Sequence, residues 1–266
     1  MTVTMRLVEP ARRGAAMGVN SIVIAAVAGV AGLAAFAARQ IHLQRSNRAL
    51  LDLRPLANRG FAVPMLVLGF AVMLGTVMVL PLLLQDGLGR TAMLAGIVLL
   101  PGALVQGTMG PFIGRICDRI GARPLVIPAT LALIVAELWM LTIGATTPIW
   151  LVVCMFAVFS IGLGLLMTPL MSASLGALPA SQDAYGSASL NTLQQVFGAS
   201  GTAIAVALLG LGTASASRTG LGGADALIDG ASWAFIGGAT IAAIAFVFAL
   251  FMPKRRSVSA HRKRTD

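Results

Sequence analysis

The sequence predicts an all-α integral membrane protein with about seven transmembrane helices, and two observations lead there. Hydrophobic residues make up 58% of the 266-residue chain and charged residues only 11%, with a mean hydropathy of +0.90, well outside a soluble domain's usual balance. Its apolar runs are continuous rather than alternating. In hydrocarbon every backbone polar group must be satisfied internally, so such runs read as helices and not as barrel strands.

A helix needs roughly 20 apolar residues to cross about 30 Å of hydrocarbon. After an amino-terminal segment, residues 1–14, the first run of that length is Ala15 to Ala38. A connection reaching residue 60 follows, with five arginines between Arg39 and Arg59. Six further runs occupy residues 61–252: Phe61 to Leu84, Met93 to Ile113, Leu125 to Ile143, Ile149 to Met171, Leu190 to Leu211 and Trp233 to Met252. Residues 253–266 form a tail with six basic side chains.

Between the second and third of these six runs stands Gly114-Arg-Ile-Cys-Asp118-Arg119-Ile-Gly121-Ala-Arg123-Pro124. Gly114 permits close packing on a neighbour, and Gly121 can take the left-handed position that stops a helix. Arg115 and Arg119 suit that helix's C-terminal dipole, and Pro124 suits the first turn of the next. The arginines also orient the chain. The basic connection, this turn and the tail alternate with nearly uncharged loops near Asp86 to Arg90, Ala145 to Pro148 and Thr213 to Asp229. By the positive-inside rule the basic set, including the carboxy terminus, is expected on the cytoplasmic side, and the expected location is the plasma (inner) membrane, as a multi-pass protein.

The turn resembles the glycine, aspartate and arginine loop of the major facilitator superfamily of secondary transporters. Leu80-Pro81, Gln85, Gly89, Ala95-Gly96, Leu99-Leu100-Pro101 and Gly110-Pro111 extend the likeness upstream, with Leu51-Asp-Leu-Arg54 and Asn58-Arg-Gly-Phe61 before them. Asn191-Thr-Leu-Gln-Gln195 and Gly198-Ala-Ser-Gly201 extend it downstream. The set is similar to the carboxy-terminal half of the fourteen-span drug:proton antiporters. The resemblance implies one linker-type helix followed by a six-helix half-bundle of three plus three spans in inverted topology. It also implies export of drugs or amphipathic small molecules by alternating access and proton antiport. Gly114, Asp118, Arg119, Gly121 and Arg123 would then form the conformational-switch motif.

Glu137 is the one ionisable side chain well inside a run, and a charge there is expensive and commonly functional, which makes it the proton-coupling candidate. Packing toward a neighbouring helix is its other reading. Phe156, Ser160, Gly164, Met167 and Met171 recur at spacings of four, four, three and four, one adaptable helical stripe suited to varied apolar ligands. Met65, Gly69, Met73 and Thr76 form a similar stripe. Gln106, Asn191 and Gln194 complete the substrate-pathway candidates, although they equally suit hydrogen bonding between helices. Gly107, Gly110 and Gly114 are expected as small-residue helix contacts.

Other classes fare less well. The net charge of +10 is divided among short loops and a tail facing anionic lipid, so no nucleic-acid partner is expected. Cys117 and Cys154 fall on different levels of the membrane and imply no disulfide; His42 and His261 are isolated, so no metal site is expected. No hydrolase elbow or phosphate loop is present, and no enzyme is expected. Retinal chemistry needs a membrane lysine, yet Lys254 and Lys263 both lie in the tail. The expected energy source is a proton gradient, with no cofactor. The expected partners are the lipid bilayer, a small amphipathic substrate, and either a second copy or a separate amino-terminal half. A transport-inactive fragment or membrane scaffold is the alternative.

Overall fold

The computed structural model describes residues 58–179 and 182–252, preceded by residues 29, 31, 32, 35 and 39, which are helical. The chain divides into two compact units, Met1–Leu53 and Arg54–Asp266. The expected first span, apart from those positions, and most of the basic connection and the tail lie outside the described residues.

In the second unit the described residues form helices and no strand. Helices α1 (Arg59–Val72) and α2 (Thr76–Leu82) and a π-helical turn (Leu83–Gly87) share the first span. Helices α3 (Ala92–Ile120), α4 (Arg123–Met140), α5 (Ile149–Leu175), α6 (Asp183–Arg218) and α7 (Gly223–Leu250) are the second to sixth. All six are long and apolar enough to cross a membrane. They coincide with the six expected runs in their centres and exceed several of them at the ends. Helix α6 has 36 residues, and only Thr219–Gly222 separates it from α7, where a loop from Thr213 to Asp229 was expected. The apolar run marks the hydrocarbon, whereas alanine- and leucine-rich sequence continues as helix beyond it.

The packing repeats when each span is advanced by three. The fourth span lies against the second and third, and the first lies correspondingly against the fifth and sixth, while the first–fourth and third–sixth pairs map onto themselves. Spans related in this way run in opposite directions, which is the inverted three-plus-three arrangement expected. The fifth and sixth spans also pack along each other, an association without an equivalent of its extent between the second and third.

The core is filled by Phe61, Leu68, Leu80, Phe159, Leu166 and Phe235, all inaccessible. Phe70 of α1 stacks on Phe248 of α7 and meets Phe197 of α6 edge-on, both with ring centroids 5.6 Å apart. The first span breaks at Met73–Gly75, where α6 crosses it. A Cβ on Gly201 would overlap the Met73 carbonyl oxygen, and one on Gly75 would overlap Ala205 Cβ. Bare glycines at the crossing allow backbone to meet backbone, the close approach that small residues provide in membranes.

Candidate functional site

The Gly114–Arg123 turn forms as the last turns of α3 and the start of α4. Gly121 ends α3 with φ 87° and ψ 171°, a region essentially restricted to glycine, and its N–H donates to the Cys117 carbonyl at 2.8 Å. Pro124 stands in the first turn of α4. Asp118 and Arg119 are exposed. Arg123 donates from Nη2 to the Leu250 carbonyl at 2.9 Å, so the turn is tied to the C-terminus of α7, where a cation is favoured. At the same end Asn58 caps α1 through Gly60 N–H and donates to the Ala177 carbonyl, both at 2.9 Å. A cavity of about 900 Å³ opens there, lined by Gly60, Pro64, Asp118, Gly121, Arg123 and Met252 among others.

Gly114 departs from expectation in degree: a Cβ would meet only Thr168 Cγ2 at 3.9 Å, an ordinary contact. Gly107 and Gly110 depart entirely, since no described residue lies within 4 Å of the Cβ either would carry. They face away from the other described helices of this bundle. The close glycine contact of α3 is Gly102, where a Cβ would overlap Ser160 Oγ and lie 2.7 Å from the Phe156 ring.

That contact also decides the stripe on α5. Phe156 and Ser160 are 5% and 3% exposed and are sealed under Gly102, so they form the α3–α5 seam and line no open path within this bundle. Gly164 rests against Gln106, whose Cα would be 3.6 Å from the added carbon. Only Met167, half-buried, and Met171, exposed, reach the surface of the half. On the first span Met65 is buried and Gly69 lies under Phe197, at 2.7 Å from an added Cβ, leaving Met73 half-buried at the break. Asn191 is exposed on α6, and Gln194 is half-buried. The Gln194 side-chain nitrogen has no partner among the described residues.

Thr76 and Glu137 come together. Glu137 is fully inaccessible, and its Oε1 accepts a hydrogen bond from the Thr76 hydroxyl. Gly238 of α7 faces the same carboxyl group: a Cβ there would lie 2.6 Å from Oε2 and 2.9 Å from Oε1. The sequence marks Glu137 as unusual, but gives no sign of its partner 61 residues away. Gly201, Gly102 and Gly238 were likewise not singled out as contacts. The available signal was a glycine inside an apolar run, which recurs at many positions that touch nothing.

The surface of the bundle has two characters. Exposed positions of α4 and α7 include large apolar side chains such as Leu131, Val135, Leu138, Ile236, Ile244 and Val247. Those of α3 and α6 mix apolar residues with Gly107 and Thr108, and with Asn191, Thr192, Gln195 and Thr202.

The Major Facilitator Superfamily model matches residues 22–202. The lincomycin resistance protein LmrB of Listeria monocytogenes is 33% identical over 251 residues, 90% of this chain and 52% of that protein. LmrB of Bacillus subtilis is 32% identical over 88% of the chain and 50% of its own length. A multidrug resistance protein B homolog of Mycobacterium tuberculosis is 31% identical over 76% and 37%. The chain thus spans about half the length of the LmrB relatives. With this match across most of its length, a six-helix inverted repeat and the glycine-stopped basic turn, the chain is a multi-pass membrane protein that belongs to the major facilitator superfamily.

Proposed function

We propose that this chain is the carboxy-terminal half of a fourteen-span exporter of drugs or amphipathic small molecules, working by alternating access and proton antiport. The supporting observation is the contrast between its surfaces. Exposed side chains along α4 and α7 are mainly apolar and suit lipid, whereas α3 and α6, although they also expose apolar residues such as Ile97, Leu104 and Phe112, interrupt them with exposed glycines, threonines and amides that are poor lipid contacts. Those two faces are suited to a second six-helix bundle and a substrate path between the two, about which the halves rock. Met73, Gln106, Met167, Met171, Asn191 and Gln194 are the path candidates that reach the surface of this half. Its relatives named for lincomycin and multidrug resistance favour an amphipathic cargo. In this reading the basic turn and the carboxy terminus lie on the cytoplasmic side of the plasma membrane, and Glu137 carries the proton.

The companion bundle is a separate amino-terminal half or a second copy. The test joins the chain to an amino-terminal six-helix bundle of the family and follows ethidium efflux from proteoliposomes under an imposed pH gradient. Efflux that stops when the gradient is collapsed is expected. An inserted, folded assembly that moves none of a panel of lipophilic cations would overturn drug export; efflux indifferent to the gradient would overturn antiport.

A further inference from the structure

The surroundings of Glu137 say more than that it is buried. Its two oxygens are inequivalent: Oε1 holds the Thr76 hydroxyl, and Oε2 has no partner among the described residues. Among the described residues, the elements packed on α4 offer no countercharge nearby. On α7, Asp229 and Asp225 lie nine and thirteen residues from Gly238 toward the helix N-terminus, about 13 and 20 Å along the helix. On the first span, Asp86 is ten residues from Thr76, about 15 Å, and Arg59 about 25 Å the other way. Helix α5 contributes only Cys154, which is exposed, and Arg123 of α4 itself is at the far end, bonded to Leu250.

Resting on the antiport reading above, we propose that Glu137 Oε2 is an occluded proton site, with Thr76 as the positioning residue that holds the carboxyl group and Gly238 as the cover that must part for the proton to exchange. An excess proton carried in by water reaches the site: a hydronium O–H bond breaks, an O–H bond to Oε2 forms, and neutral water leaves. When the site opens again that bond breaks and the proton returns to water, while the Thr76 hydroxyl stays on Oε1 throughout. The site suits a proton and not a metal cation, because the glycine of α7 lies against both carboxyl oxygens and, among the described residues, Thr76 alone adds a third ligand. Thr76 begins α2 directly after the Met73–Gly75 break. A change in the carboxyl group is therefore delivered to the joint of the first span, next to the path candidate Met73.

Infrared difference spectroscopy on the full chain in lipid tests the site without requiring transport. A buried carboxylic-acid band is expected, slow to shift in heavy water, lost in Glu137→Gln, moved to higher frequency in Thr76→Val and restored in Thr76→Ser. Sodium should leave it unchanged. A band indifferent to Thr76→Val, a band displaced by sodium, or no band assignable to Glu137 at any pH would each overturn the proposal. Efflux in the joined assembly separates the two claims. Gradient-driven efflux undiminished in Glu137→Gln would sink this site and leave antiport standing, whereas the expected band in an assembly without gradient-driven efflux would sink antiport and support the site.

Discussion

At the scale of single residues, glycine carries two different meanings in this chain. Gly201 meets the Met73 carbonyl, and an alanine there must push α6 off the first span. Overpacking of a tight contact costs roughly 1–3 kcal/mol, so Gly201→Ala should lower the unfolding midpoint in detergent clearly. Gly107 has nothing within 4 Å in this bundle, and alanine favours helix by up to about 1 kcal/mol. Gly107→Ala should therefore leave the isolated chain as stable or slightly more so. Equal losses in a thermal-melt comparison would contradict the placement of either. The sequence could single out Glu137 because a lone acid in an apolar run is rare. It could not separate Gly201 from Gly107, because the difference lies in what another helix does there.

At the scale of elements, the centres of the spans were legible and their ends and joints were not. Apolar length reports the membrane, not where helical hydrogen bonding stops, so α6 and α7 nearly meet where a long loop was expected. The break at Met73–Gly75 has no proline to announce it; it arises from the crossing of α6. The stop at Gly121 was legible because a basic helix end, a glycine and a following proline agree. That agreement yields a test of the stop. An alanine placed at φ 87° costs about 1–3 kcal/mol, so Gly121→Ala should lower stability by that order. Arg123→Ala, which removes only an exposed bond to Leu250, should cost less than about 1.5 kcal/mol. A smaller loss for the glycine variant than for the arginine variant would contradict the assignment of the stop to Gly121.

At the scale of the molecule, the proposed orientation rests on charge asymmetry alone, and the structure supplies better reporters to test it than the native cysteines. Cys117 is only 8% exposed, which makes it a poor target despite its position in the basic turn. Ile120 and Leu221 are 53% and 44% exposed at opposite ends. With both native cysteines replaced, Ile120→Cys should react with an impermeant maleimide only after permeabilisation and Leu221→Cys in intact cells; the reverse pattern would invert the topology. The architecture was legible as six runs and a turn because bilayer thickness and arginine bias act on sequence directly. Which faces stay open, and that Thr76 meets Glu137, depend on how six helices cross, which no run of residues specifies.

Helix α7 is the last described helix, and its buried face is almost wholly alanine and glycine: Ala226, Gly230, Ala231, Ala234, Gly238, Ala239, Ala242, Ala245 and Ala249, with Phe235 the exception. During translation Glu137 leaves the ribosome about 100 residues before Gly238, which at roughly 5–20 residues per second leaves it without that cover for on the order of 5–20 s. In that interval the nascent chain holds an acid beside an empty groove. A smooth alanine wall can slide into such a groove without prying apart the helices already assembled, so the order of synthesis and the choice of small residues solve the same problem. A chain stalled before Gly223 would lack the Gly238 cover and leave the Glu137 carboxyl group open on that side.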